Sequence, residues 1–425
     1  MRRIAVTGIG LISPLGNSRA EALANASAGR AAIAPLETAW AERLAAPLAA
    51  RVSFRGEEHF PPPRLRMLDR VSQLALVAAR QAIADARLDL AAVDRSRTGV
   101  FIGTGMGGAL STDEGYLALY REGCERMKPF SILMGMTNAP AAWIGIEYDL
   151  TGPNLTYSTA CSSSAVAIGE AWLRLQHGEV DRAITGGSEA PLSYGAMKAW
   201  EALHTLANED PENPSSSCKP FSADRTGLVL GEGATLLVLE DWEQARNRGA
   251  FIHGELLGYG LATDTSHITR PTIAGQAAAM RAALASAQLG PERIDSINAH
   301  GTGTPANDSV ETAAIKEVFG ERAYRIPVSA TKSMHGHLLG ASGALELALS
   351  LLALQQDVLL PTMHLKVPAP DCDLDYVPNR ARRGAGARTV MSSSFAFGGT
   401  NAVLLASAGG AERDAAPGQH GPQIP

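Results

Sequence analysis

Cys161 is the residue whose type and position most directly indicate covalent chemistry. It lies between a run of β-forming and small residues at 155–160 and a segment with helical spacing from Ala165 onward. A thiol at such a turn experiences the positive end of the helix dipole and nearby N–H groups, which favour the thiolate. The thiolate is the nucleophilic form of cysteine. A lone cysteine here is equally typical of a buried structural position, so the choice depends on the other polar residues.

Two histidines follow strand-like runs in the second half of the chain. His300 ends the run 294–299 and opens a Gly/Thr/Pro segment at 301–305, which is the composition of a tight turn that exposes its backbone. His337 lies between a predicted strand and a predicted helix. A histidine in either place could direct an N–H group at a developing oxyanion. Taken alone, each is also typical of a structural histidine with its hydrogen bonds satisfied.

Charged residues and a glycine turn accompany these histidines. Lys332 precedes the helix that contains Glu346, and a lysine facing a buried pocket needs a carboxylate partner. Asp308 and Glu311 follow the first histidine turn, and they could orient that turn or favour the N-terminus of the next helix. A second glycine turn, at 395–401, could lend N–H groups to an oxyanion hole or simply reverse the chain. Its candidate residues are Phe397, Gly398 and Gly399.

Four motifs, in this order, resemble those of β-ketoacyl synthases of the acyl-carrier-protein synthase II type and of the ketosynthase α chains of type II polyketide systems. The motifs are TACSSS at 159–164, HGTGTP at 300–305, KSM with GHLLG at 332–340, and FGGTN at 397–401. The similarity extends from about Arg3 to Leu405. It implies an α/β protein with the thiolase fold, which has two duplicated βαβαβαββ halves in five layers (α-β-α-β-α) and is usually dimeric.

The resemblance also implies a role for each candidate residue. Cys161 would take the acyl chain from a carrier thioester. His300 and His337 would assist decarboxylation of a malonyl-carrier extender and stabilise the enolate that attacks the acyl-cysteine. Lys332 and Glu346 would hold the histidine geometry, and backbone N–H groups of the cysteine and of the aromatic residue in the glycine turn would form the oxyanion hole. Two histidines indicate an elongating enzyme, and the intact cysteine distinguishes the chain from chain-length factors.

Departures from the family pattern favour a specialised polyketide or polyene pathway over housekeeping fatty-acid synthesis. Ala396 replaces a common glycine, and the serine run 162–164 is similar to that of polyketide ketosynthases. Met106 is expected at the pocket mouth opposite the gate aromatic, and with Met197 it is predicted to line the acyl pocket. The resemblance aligns Glu201 with a position that is arginine in the housekeeping enzymes. Carrier proteins are acidic, and the predicted basic docking residues are Arg64, Arg66, Arg126 and Lys128.

The composition limits the classes of binding partner and the cellular compartment that fit this chain. The net charge of −6 makes non-specific nucleic-acid binding improbable. The four cysteines are scattered and form no CxxC pair, which predicts no disulfide framework, no metal site and a reducing cytoplasm. No signal peptide or membrane-spanning run is expected. The resemblance implies no cofactor beyond the phosphopantetheine of an acyl carrier protein, and a homodimer or a heterodimer with a chain-length-factor-like partner.

Alternating strands and helices predict mostly parallel sheets covered on both faces. The predicted division is a first half at 1–250 with the nucleophile, a second half at 251–407 with the histidines, and a disordered tail at 408–425. A β-hairpin is predicted at 226–239.

Three other functions fit parts of the sequence. Gly103, Gly105 and Gly108 satisfy G-x-G-x-x-G after a strand, which could indicate an NAD-dependent oxidoreductase. A ketosynthase-like subunit active only beside a cysteine-less paralogue is a second alternative. A degradative thiolase would resemble this chain in fold, but Cys372 lies outside any second-cysteine motif.

Overall fold

The computed structural model describes residues 2–409. The elements of the first half are the strands β1 (Ile4–Ile12), β2 (Ile33–Pro35), β3 (Leu48–Ala50), β4 (Thr98–Gly103), β5 (Asn154–Tyr157), β6 (Arg182–Glu189) and β7 (Gly233–Asp241), and the helices α1 (Arg19–Ser27), α2 (Pro62–Leu65), α3 (Arg70–Asp85), α4 (Ala109–Tyr120), α5 (Ser131–Gly135), α6 (Ala139–Tyr148), α7 (Ser163–Gln176), α8 (Tyr194–Ala202) and α9 (Trp242–Asn247).

The elements of the second half are fewer but follow a similar order. They are the strands β8 (Gly254–Thr263), β9 (Ser296–Asn298), β10 (Val328–Ser329), β11 (Val358–Leu359), β12 (Arg382–Arg383), β13 (Thr389–Phe395) and β14 (Thr400–Ala408), and the helices α10 (Ile273–Ala287), α11 (Pro305–Phe319), α12 (Lys332–His335) and α13 (Ser342–Gln355).

The sheet topology is duplicated. The first half has the strand order β5-β4-β6-β7-β1, and the second half has the order β10-β9-β13-β14-β8. In both, the first three strands run parallel and the last two pair antiparallel. An antiparallel pairing of β1 with β8, from Ile4↔Leu256 to Val6↔Gly254, joins the halves into one ten-stranded sheet. This order confirms the predicted duplication.

Two central helices, α7 and α13, separate the halves and complete a five-layer arrangement. Each packs on strands of both halves, while α3 with α6 covers the outer face of one half and α10 with α11 covers that of the other. Every residue of α13 from Ser342 to Leu354 is buried, as expected of a helix apolar on all sides. Among residues 2–409, no helix is both long enough and apolar enough to cross a bilayer.

Glycines at equivalent places in the two halves allow a helix to approach its strand closely. A Cβ atom on Gly10 of β1 would lie 2.0 Å from the carbonyl oxygen of Ala78 on α3. A Cβ atom on Gly260 of β8 would lie 2.2 Å from the carbonyl oxygen of Ala279 on α10. The short alanine-rich faces of both outer helices therefore pack directly on backbone.

Two sequence predictions are wrong in detail. In the predicted hairpin at 226–239 only the second strand forms, because Leu228 and Leu230 instead make single bridges to Leu206 and His337. The predicted tail begins too early at residue 408, since Ala408 belongs to β14 and pairs with Gly254 of β8. Residues 410–425 of the predicted tail lie outside the described residues. The division of the chain at 250–251 stays a prediction.

We predict that Gly260→Val lowers the free energy of unfolding by at least ~3 kcal/mol, because the new side chain overlaps the α10 backbone and the helix must move. Urea unfolding followed by circular dichroism measures the change. Thr263→Val is the matched control, since it places valine on the same strand at an exposed position and should stay within ~0.5 kcal/mol of the parent. Equal stability of both variants would contradict the close packing.

Candidate active site

Cys161 lies in a tight turn between β5 and α7. A short 3-10 turn, Ala160–Ser162, connects the two elements, and Ala160 has φ +51°, a left-handed conformation that costs energy for a residue with a side chain. The Ser163 hydroxyl closes the turn by accepting from the Thr159 N–H at 2.9 Å and donating to the Ala160 carbonyl at 2.6 Å. The serines after the cysteine therefore hold the nucleophile in place.

Burial decides the protonation of the thiol. The Cys161 side chain is 5% exposed, and this desolvation raises its pKa to about 11. The charge of Lys332 and the N–H group of Phe397 act in the opposite direction but are weaker. Burial therefore opposes the bias toward thiolate that is expected from the helix N-terminus.

His300 and His337 lie side by side above the sulfur. Their ring centroids are 5.4 Å apart in an edge-to-face arrangement, and one nitrogen of each lies with Cys161 Sγ in a group whose atoms are all within 4.8 Å of one another. Such a trio could also hold a metal ion in this geometry. Burial, foremost, lowers the pKa of both histidines well below the ordinary value, so both rings are neutral.

The hydrogen bonds of His337 fix its tautomer. Its Nδ1 accepts from the backbone N–H of Leu339 at 3.2 Å and lies 2.9 Å from the Ser342 hydroxyl. The ring proton of the neutral imidazole is therefore on Nε2, which is buried and has no partner among the described residues. An unpartnered N–H lining the cavity beside Cys161 is suited to bind an oxyanion.

His300 is positioned through its backbone. Glu311 accepts from the His300 N–H at 2.7 Å and from the Gly301 N–H at 2.8 Å. Lys332 Nζ donates to the His300 carbonyl at 2.8 Å and lies 3.5 Å from its Nδ1. Of the two alternatives for Glu311, the contacts are those of a residue that orients the His300 turn.

Lys332 and Glu346 form an ion pair in which both side chains are fully buried. Burial raises the pKa of Glu346 to about 7, against the lowering effect of Lys332. Asp308, also predicted as a supporting residue, lies one step further away: its carboxylate accepts from the Phe221 N–H at 2.8 Å. Asp308 also accepts from the N–H of Gly303, so it links the His300 turn to the segment at Phe221.

The glycine turn supplies one N–H group to the site. The N–H of Phe397 bonds to Cys161, whereas Gly398 donates to the Ile268 carbonyl at 2.7 Å and Gly399 to the Ala396 carbonyl at 3.0 Å. Gly399 has φ +80° and its Cβ position is 1.9 Å from the Asp264 carbonyl oxygen, so only glycine fits there. Of the three predicted gate residues, Phe397 alone directs an N–H at the sulfur.

The predicted acyl-pocket residues converge on the nucleophile. Met106 and Met197 belong to one apolar cluster with Cys161, Leu339 and Trp200. The Phe397 ring stacks on Trp200 with centroids 6.0 Å apart, at the side of a cavity that reaches His300 and His337. An acyl chain attached to the sulfur would find apolar walls on this side.

Glu189, at the end of β6, is a site residue that sequence reasoning missed. Its fully buried carboxylate accepts from the N–H groups of Gly105, Met106 and Gly340 at 2.6, 3.0 and 3.0 Å, and burial raises its pKa to about 7. It therefore ties the pocket loop to the segment after His337. The available sequence signal was an acidic residue at the end of a strand, two positions after the pair Gly186-Gly187.

The same contacts contradict the dinucleotide alternative. In a dinucleotide site the N–H groups of the glycine loop face a pyrophosphate, but here those of Gly105 and Met106 bind Glu189. A Cβ atom on Gly103 would lie 2.3 Å from the backbone of Ser163, so this glycine serves the nucleophile turn. Cys372, the residue a thiolase would need nearby, lies in a different core cluster from Cys161.

The predicted carrier-docking residues lie outside the catalytic cavity. Arg64 pairs with Glu147 at 2.5 Å and its guanidinium lies over the Trp143 ring, while Arg66, Arg126 and Lys128 are exposed. Their role stays a prediction. Glu201 is held by Lys198 and by the N–H of Ala45.

Comparisons with known proteins agree along the chain. Residues 1–245 match the family model "Beta-ketoacyl synthase, N-terminal domain", and residues 253–366 match "Beta-ketoacyl synthase, C-terminal domain". Nodulation protein E of Rhizobium meliloti (strain 1021) is 41% identical over 403 residues, covering 95% of this chain and 98% of the relative. The 3-oxoacyl-[acyl-carrier-protein] synthase 2 of Coxiella burnetii (strain RSA 493 / Nine Mile phase I) is 41% identical over 412 residues, covering 96% and 98%.

Two solved structures extend the comparison to complexes. A type II PKS acyl-carrier protein in complex with its ketosynthase bound to the hexaketide is similar with TM-score 0.89 and 32% identity, covering 96% of this chain and 99% of that chain. The ishigamide ketosynthase/chain length factor is similar with TM-score 0.88 and 36% identity, covering 96% and 100%.

We predict that Glu346→Ala lowers the free energy of unfolding by about 3–5 kcal/mol, because it leaves the Lys332 ammonium buried without a counter-charge. Chemical unfolding measures the loss. The double variant Lys332→Met with Glu346→Leu removes both charges and should recover most of the stability. A double variant as unstable as the single one would show that shape, rather than charge pairing, determines the stability of this region.

Proposed function

The chain belongs to the β-ketoacyl synthase family, and we propose that it elongates carrier-bound acyl chains in a type II polyketide or polyene pathway. It is a 3-oxoacyl-[acyl-carrier-protein] synthase, an acyl-transferring condensing enzyme. The observation that carries the residue assignment is the buried trio of Cys161, His300 and His337, whose reactive atoms lie within 4.8 Å of one another beside an apolar pocket.

The first step is transfer of the acyl chain to Cys161. The sulfur attacks the carrier thioester while its proton passes to neutral His300, because His337 already carries its ring proton on Nε2. The tetrahedral oxyanion is bound by the N–H groups of Cys161 and Phe397. The carbon–sulfur bond to the carrier then breaks, the carrier thiol leaves with a proton, and the acyl chain stays on the enzyme.

The second step is decarboxylation of the malonyl extender. Breaking the bond to the carboxylate releases CO₂ and leaves the electron pair as an enolate, whose charge is concentrated on the thioester oxygen. The Nε2–H of His337 faces the cavity without a competing partner, and neutral His300 lies next to it. Donors held in a buried site stabilise this charge at little reorganisation cost.

The third step forms the new carbon–carbon bond. The enolate carbon attacks the carbonyl of the acyl-cysteine, whose oxyanion again occupies the Cys161 and Phe397 N–H groups. The carbon–sulfur bond breaks, and Cys161 leaves as a thiolate that takes a proton from water. The carrier departs with a 3-oxoacyl chain two carbons longer.

The pathway assignment rests on residues of the pocket and gate. Met106 packs in the cluster around Cys161, and Ala396 adds a methyl group to the turn beside Phe397. Both changes alter the shape available to an acyl chain. Similarity to the two polyketide-type ketosynthase structures supports a polyketide substrate, and housekeeping fatty-acid elongation is the alternative.

A second ketosynthase-like chain is proposed to cover the face formed by residues 116–155. Ten of the seventeen large apolar side chains exposed in the described chain lie in this segment, including Tyr120 at 80% and Ile132 at 76% exposure. Among residues 2–409 the edge strand β5 pairs only with β4, so its outer side is available to extend the sheet. The partner is an identical copy or a chain-length-factor-like paralogue. An acidic carrier protein docks through Arg64, Arg66, Arg126 and Lys128; because Arg126 and Lys128 belong to the same segment 116–155, the carrier binds at the border of this interface.

We predict that His337→Ala keeps acylation of Cys161 but slows loss of CO₂ from malonyl-carrier by about 10²–10³-fold, because one oxyanion donor is removed. Intact mass and CO₂ release measure the two steps separately. His177→Ala, at an exposed position at the end of α7, is the matched control and should leave both unchanged. Loss of acylation with intact decarboxylation in His337→Ala would contradict the assigned role.

The pathway and assembly are tested with the purified chain. A competition between a saturated acyl-carrier and a dienoyl-carrier of equal length should favour the dienoyl chain, whereas preference for the saturated chain would indicate fatty-acid synthesis. Light scattering distinguishes a homodimer, at twice the 44.4 kDa chain mass, from a chain that needs a co-produced paralogue. A monomer that condenses alone at full rate would contradict the proposed interface.

A further inference from the structure

Arg270 lies at the mouth of the catalytic cavity and outside every motif that carries the family resemblance. The cavity extends from Cys161 and the two histidines to the loop 264–272, where Arg270 and His267 line it. His300 and His337 are 3% and 1% exposed, whereas Arg270 is exposed to solvent. A substrate whose reactive end lies at the sulfur therefore passes this guanidinium on its way in.

The loop that bears Arg270 is held in a defined conformation. Asp264 Oδ2 accepts from the Thr272 N–H at 2.6 Å, which closes the two ends of the loop. The tip bonds to the gate turn, since Ile268 accepts from the Gly398 N–H at 2.7 Å. Pro271 restricts the backbone directly after Arg270. The backbone that carries the Arg270 guanidinium therefore has a defined position.

Arg270 has no carboxylate partner among residues 2–409. Other arginines near the cavity are occupied, as Arg225 is by contacts with Ser309 at 2.9 Å and Asp308 at 3.8 Å. The acid of its own loop, Asp264, binds the N–H groups of Ser266 and Thr272 instead. In a chain of net charge −6, an uncompensated cation at a cavity mouth is suited to an anionic part of a ligand.

We propose that Arg270 binds the phosphodiester of the carrier's phosphopantetheine arm while the thioester lies at Cys161; this inference rests on the proposed function. Arginine matches phosphate oxygens with two parallel N–H bonds. The malonyl carboxylate is the other anion of the reaction, but it must leave as CO₂ beside the buried histidines. A cation holding that carboxylate would stabilise the ground state and slow its loss.

The test compares donors that differ only in the phosphate. Arg270→Gln is assayed for acylation of Cys161 by hexanoyl-phosphopantetheine and by hexanoyl-pantetheine. We expect kcat/KM to fall about tenfold for the first donor through KM and to be unchanged for the second. Arg293→Gln, an equal charge change at the opposite end of β9 from His300, should be unaffected with both donors.

Each other outcome overturns a defined part of the account. Equal loss with both hexanoyl donors, or no loss with either, contradicts phosphate binding. A loss seen only in CO₂ release from malonyl-pantetheine would assign Arg270 to the carboxylate instead. Failure of the parent protein to acylate Cys161 with any donor would overturn the proposed function itself, which is distinguishable from a failure at Arg270 alone.

Discussion

The contact between the N-terminal ends of α7 and α13 is the constraint on which the site depends. Ser164 Oγ accepts from the Ala344 N–H at 3.0 Å, and a Cβ atom on Gly343 would lie 3.1 Å from that of Ala165. Helices this close need small residues where they meet. Because α7 begins two residues after Cys161 and α13 five residues after His337, this contact between the duplicated halves brings the thiol and the His337 imidazole together.

Desolvation then sets the chemistry of the residues that meet there. A charge buried without a partner is costly, and the site contains one buried cation, Lys332, neutralised by Glu346. The same burial disfavours the charged forms of Cys161, His300 and His337. The negative charge that develops during the reaction therefore appears on substrate oxygens that face N–H groups whose positions are already fixed. This arrangement suits a reaction whose intermediates are an oxyanion and an enolate.

The four motifs and the family resemblance they carry were sufficient for the fold class. The carboxylate partner of Lys332 followed from the need to neutralise a buried cation, whereas the sequence left open whether Asp308 and Glu311 orient the His300 turn. The sequence was insufficient where tertiary contacts override local pattern. Leu228 and Leu230 alternate like a hairpin strand but pair with distant segments, one of them at His337. The helix dipole at Cys161 is a local effect, whereas the opposing burial depends on the whole fold. Glu189 stood outside the recognised motifs, so only its three backbone contacts reveal its role.

The most direct test of the account is the intact mass of the protein after incubation with a short acyl-carrier thioester. The account predicts one acyl adduct on the parent protein and on the control variant Cys218→Ala. Cys218 is also buried but lies in another core cluster. The account predicts none on Cys161→Ala. An adduct that persists in Cys161→Ala would contradict the assignment of the nucleophile and, with it, the mechanism built around the two central helices.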